Sequence, residues 1–151
     1  MNPNRRTLKY ETIDAIMPDV DRLLAGHSTV GDWTLGQICE HLATVTKRVV
    51  DMPASTQHDP SVRVSDEQKQ QVFTSGKLPE GMPLASTMAT PDAVSASEGA
   101  DQLRQALAYY QSSPGPVAEH RLFGPLSKDE WDRLVRIHCA HHLSFVLPEV
   151  G

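Results

Sequence analysis

The chain has 151 residues, 39% of them hydrophobic, and a net charge of −5 at pH 7, with an isoelectric point near 5.7. That length suits one domain over 1–151 with a real core, and an acidic balance without a basic cluster argues against nucleic acid or an anionic membrane as partner. No apolar run approaches the ~18 residues that a membrane span needs.

The first stretch, "MNPNRRTLKYETIDAI", has no apolar segment and no small-residue cleavage site, so no secretory signal is expected. A first helix is expected over about 13–25, with Ile13, Met17, Val20 and Leu24 on one stripe. Pro18 is tolerable in its first turn, where the amides have no intrahelical partner, and Gly26 is the expected terminator. A second helix is expected over about 35–50. Thr34 and Gln37 form its capping box, and Leu35, Ile38, Leu42, Val45 and Val49 form its stripe.

The stretch 52–97 carries Pro53, Pro60, Pro79, Pro83 and Pro91 and reads as a long crossover. It is expected to hold one short helix, "SDEQKQQVF", after a Ser65 cap, with a solvated polar face. A third helix over about 98–111 is expected to start from a Ser97 cap and to face inward with Ala100, Leu103, Leu107 and Tyr110. The Pro/Gly link "SSPGPVAEHRLFGP" leads to a fourth helix over about 128–147. Ser127 and Glu130 form its capping box, and Pro148 is its expected end.

Strand signals are weak throughout. The expected fold class is all-α: a four-helix bundle, up-down-down-up, with the long crossover between the second and third helices. Trp33 and Trp131 read as anchors of the core or of the helix starts, and Tyr109 and Tyr110 as half-buried. Cys39 and Cys139, the two cysteines, read as small reduced apolar fillers, which fits a cytoplasmic location.

Three of the seven histidines crowd into "RIHCAHHLSFV". At about 100° per residue, His138 and His142 fall near the middle of the last helix's apolar stripe, and His141 at its edge. Histidines at i and i+4 stack on one face, the spacing by which helices bind zinc-like ions. The plain alternative is a pair of buried histidines satisfied by side chains or water.

A third ligand changes that balance. His41 is the one other histidine inside an expected helix. With ~1.5 Å rise per residue, His41 lies about 10 Å into its helix, and His138 and His142 about 16 and 22 Å into theirs. In an antiparallel pair spanning about 30 Å, His41 falls at a depth between the other two; a parallel pair misses by roughly 6–12 Å. His41 lies on the flank of its stripe, about 80° from the centre. Glu40 points to a different face.

"WTLGQICEHLA", followed far downstream by "EHRLFGPLSKDEWDRLVRIHCAHHLSFV", resembles the DinB/YfiT-like superfamily of metalloenzymes, and within it a branch known as a domain of unknown function. The resemblance covers most of the chain and is loose across 52–97. It implies a four-helix bundle with an up-down-down-up crossover and a three-histidine site for a divalent metal, commonly nickel or zinc. The ligands it implies are His41, His138 and His142. The chain departs from the branch at Arg121, where a proline usually follows the loop histidine. His120 reads as an exposed loop residue, with a place at the mouth of the site as the alternative, and His141 as a half-buried helix residue.

Three neutral imidazoles leave a divalent ion an open position, unlike the closed four-ligand sites that serve stability. The leading expectation is a metal-dependent enzyme acting on a small molecule, either hydrolytic or thiol S-transferring; the resemblance adds a low-molecular-weight thiol as a candidate second cofactor. The alternatives are a non-catalytic, stress-linked metal- or ligand-binding module and a plain helical interaction protein with core histidines. A homodimer is compatible with the resemblance.

Overall fold

The computed structural model describes residues 5–78 and 91–149. Five α-helices and one two-stranded sheet make up the regular structure of those residues. Helix α1, Ile16–Leu24, follows a 3-10 turn at Ile13–Ala15. Pro18 is its third residue, where the missing N–H costs nothing. The helix buries Val20 of the expected stripe together with Ile16 and Leu23, and leaves Leu24 38% exposed.

Helix α2, Leu35–Asp51, starts on the expected capping box, with Thr34 accepting from the Gln37 amide and Gln37 reaching back. Helix α3, Asp66–Ser75, is the short helix of the crossover, capped by the Ser65–Gln68 box and closed by Gly76 at φ 71. It buries Val72 and Phe73 and leaves its polar positions outward. The crossover's Pro79 and Pro83 lie outside the described residues. Helix α4, Ala96–Ser112, begins two residues earlier than expected, because Ser95 and not Ser97 accepts from the Glu98 amide.

Helices α2 and α4 meet backbone to backbone. A Cβ on Gly99 would lie 2.6 Å from the Gly36 carbonyl oxygen, and one on Gly36 would lie 2.1 Å from that of Val94. Only glycine permits that approach. Around the contact, Leu35, Ile38, Leu42, Leu103, Leu107 and Tyr110 join the core. Tyr110 is fully buried, donating to Asp132, while Tyr109 is 43% exposed. Neither is half-buried as expected.

Helix α5, Lys128–Leu143, carries the Ser127–Glu130 capping box. It stops four residues short of the expected end, because Val146–Pro148 leaves the helix as strand β2 and pairs antiparallel with β1, His27–Thr29. The register sets His27 opposite Pro148 and Thr29 opposite Val146. Flanking bonds from Val30 N to Phe145 O and from Glu149 N to Gly26 O extend the ladder. The expectation of an all-α chain is corrected at this point: the architecture is mostly helical with a small sheet. Helix α1 ends just before Gly26, whose N–H donates to the Leu23 carbonyl; the positive-φ glycines among the described residues are Gly76, Gly115 and Gly124. The chain passes straight from α1 into β1, and the strand pair straps the end of α5 to the segment that leads into α2. No helix among the described residues is long and apolar enough to cross a membrane.

Candidate metal centre

His41 sits in the second turn of α2 and is 3% exposed. His138 and His142 sit one turn apart on α5 and are half-buried. The three rings converge: one nitrogen from each lies within 4.8 Å of the other two. Ring centroids are 5.2 Å apart for His41–His138, 4.6 Å for His41–His142 and 4.8 Å for His138–His142. The flank position of His41 therefore does not keep it from the other two rings.

The Nε2 atoms of His41 and His138 are 3.3 Å apart. Two readings compete at that distance. One ring can donate an N–H to the other, or both can turn lone pairs to a common ion. Nitrogens held about 2.0–2.1 Å from a tetrahedral ion stand about 3.3–3.4 Å from each other, so this pair already has the edge length of such a site. Neither ring nitrogen of His142 is bonded by a described residue or sealed from solvent, so its lone pair is available to water or to an ion. Among the described residues no carboxylate, thiol or fourth imidazole completes the set. The group could thus hold an ion and leave it an open side.

Burial sets the protonation. It pushes His41 down to about 4, helped by Arg48 and His141. It pushes His138 down to about 3, helped by His41, His141 and His120. His142 is held well below its ordinary value by burial, then by His138, His41, His141 and Arg5. All three are neutral near pH 7, the form that has a lone pair to offer a metal.

Trp33 walls the cluster. Its ring stacks on His142 at 5.6 Å and 13°, and tilts against His41 at 5.2 Å. It stands in the segment between the strand pair and α2, so β1–β2 pairing and the α2 cap both fix it. Trp33 is thus more than the anchor expected from the sequence, since it packs on two of the three rings. Trp131 is buried in the core as expected, 4% exposed.

His141 is half-buried and turned aside. An Arg5 guanidinium nitrogen lies 3.3 Å from its Nδ1, and a guanidinium can only donate. Glu40 accepts from Thr44 and has no place in the cluster. His120, expected as an exposed loop residue, is half-buried, and its Nδ1 accepts from the backbone amides of Leu122 and Phe123 at 3.0 and 3.2 Å. Cys39 and Cys139 are free and buried. Burial raises both thiols, that of Cys39 to about 12, so neither offers a thiolate.

A family model described as "Protein of unknown function (DUF1569)" matches residues 2–149. The chain belongs to the DUF1569 family. No curated protein and no solved structure gives a match. What this DUF1569 chain does must therefore be argued from the cluster itself.

Proposed function

We propose that this DUF1569 chain is a metal-dependent enzyme that acts on a small molecule, with His41, His138 and His142 as its metal ligands. The observation that carries this reading is the convergence of three neutral imidazoles from two helices without a fourth protein ligand among the described residues. The likeness to the DinB/YfiT-like metalloenzymes supports it, as does their up-down-down-up bundle, with which α1, α2, α4 and α5 are compatible. An all-imidazole set suits zinc or nickel. Such an ion would supply Lewis acidity and lower the pKa of a thiol or water placed at its open side.

The chain's own residues do the rest. His41 anchors the site from within the core, and the i, i+4 pair His138 and His142 closes it from α5. Trp33 excludes water from the flank it covers. The positive charges acting on the cluster come from Arg5 and Arg48, which favours a substrate that is anionic or becomes so in the reaction. Hydrolysis of an ester-like bond and transfer of a small thiol to an electrophile both meet that description.

The test is turnover of an ester panel and a thiol-plus-electrophile panel by the metal-loaded protein, with His142→Ala as control. Turnover that disappears in the variant supports the proposal. Stoichiometric metal with no turnover on either panel would favour a non-catalytic metal-binding module instead.

A further inference from the structure

His120 is fixed more tightly than a loop histidine needs to be. Its backbone forms a two-way bridge with Gly124, with N–O distances of 2.8 and 2.9 Å. Gly124 sits at φ 72, a backbone conformation that L side chains rarely adopt, with the Arg63 guanidinium against it. Within that loop the His120 ring packs on Phe123 at 4.8 Å and on Trp131 at 5.5 Å.

The two ring nitrogens are then distinguishable. Nδ1 accepts from two backbone N–H groups, so it carries no proton. The proton of the neutral ring is on Nε2. That N–H has no acceptor among the described residues and is not sealed from solvent. An Nε2 that carries its proton cannot ligate a metal, which sets His120 apart from the three ligands; it can only donate.

Trp131 and His138 lie seven residues apart on one face of α5, and His120 packs on Trp131, which sets its ring against the face of the helix that carries His138. The neighbouring Trp131 Nε1 is also a donor without an acceptor among the described residues. This corner therefore offers two N–H donors that have no acceptor among the described residues.

We infer that His120 is the hydrogen-bond donor of the site: a neutral imidazole, locked in one tautomer by its own loop, that donates from Nε2 to an oxygen or sulfur acceptor held at the open side of His41, His138 and His142. The inference rests on the proposed metal centre. It assigns the substrate a carboxylate, carbonyl or thiolate group, and gives the orienting role to a residue outside the ligand set.

Two substitutions separate donation from support of the loop. His120→Asn keeps an acceptor where Nδ1 stands and removes the distal N–H. His120→Gln keeps an N–H near the Nε2 position and removes the acceptor. Cobalt(II) is bound to wild type and both variants, and acetate is titrated against its visible spectrum, with thermal melts alongside. The expected result is wild-type cobalt affinity in all three. Acetate affinity falls about tenfold in His120→Asn and is largely retained in His120→Gln, which melts lower. Acetate bound equally by wild type and His120→Asn, or by none of the three, overturns the inference and leaves the metal centre standing. Wild type that takes up no stoichiometric cobalt overturns the metal reading itself.

Discussion

His41→Phe separates the cost of the cluster from its use. The substitution keeps an aromatic ring of similar size in a site that is 3% exposed and removes both nitrogens. In the native protein burial holds His41 at about 4, whereas in the unfolded chain it titrates near 6.5. The unfolded state therefore takes up a proton that the folded state refuses. This contribution to stability is whole above pH 6.5 and is lost as pH falls toward 4. The loss amounts to about 2 kcal/mol at pH 5 and about 3 kcal/mol at pH 4. His138, 3.3 Å away and held still lower, adds to the slope in the same direction. Urea denaturation with a chelator present, at pH 7.5, 6, 5 and 4, reads it out. His41→Phe should lose less stability than wild type across that range, with a difference of about 2–3 kcal/mol at pH 4, while losing metal affinity. Parallel curves for the two proteins would refute the claim that burial holds this ring neutral.

Trp33 should report ligand binding: nickel or cobalt should quench much of the tryptophan emission, and Trp33→Phe, which leaves only Trp131, should lose most of that quenching, as fluorescence titration will show. Gly99→Ala puts a Cβ 2.6 Å from the Gly36 carbonyl, so α2 and α4 must separate; a loss of about 1–3 kcal/mol is expected by denaturant melt. Ser127→Ala removes the cap of α5 and should cost about 1 kcal/mol by the same measurement, without changing metal stoichiometry.

The parts that were legible in the sequence are those decided within a few residues or by helical arithmetic. The boxes at Thr34 and Ser127 and the cap at Ser65 announce themselves, because each cap stands three positions before its partner amide. The meeting of His41 with His138 and His142 follows from equal depth along two rods. The strand pair was not legible. Val146–Pro148 continues the apolar run of α5, and a three-residue strand is defined by its partner rather than by its own pattern. Trp33 and His120 stand alone in loops, where no periodicity says what a side chain faces. Their roles come from long-range packing and, for His120, from a bridge closed by a glycine at positive φ. The one signal for His120 was the resemblance, which singles out the loop histidine before Arg121 and gives it a place at the mouth of the site as the alternative to an exposed loop residue.

Metal analysis of protein purified without a polyhistidine tag tests the centre most directly, with wild type, His41→Ala and His142→Ala compared after exposure to zinc and nickel. One ion per chain in wild type, a melting temperature raised by that ion, and neither effect in the variants is the expected result. Wild type that emerges with no stoichiometric metal and an unmoved melting temperature would contradict it, and would leave three packed histidines where a metal centre is claimed.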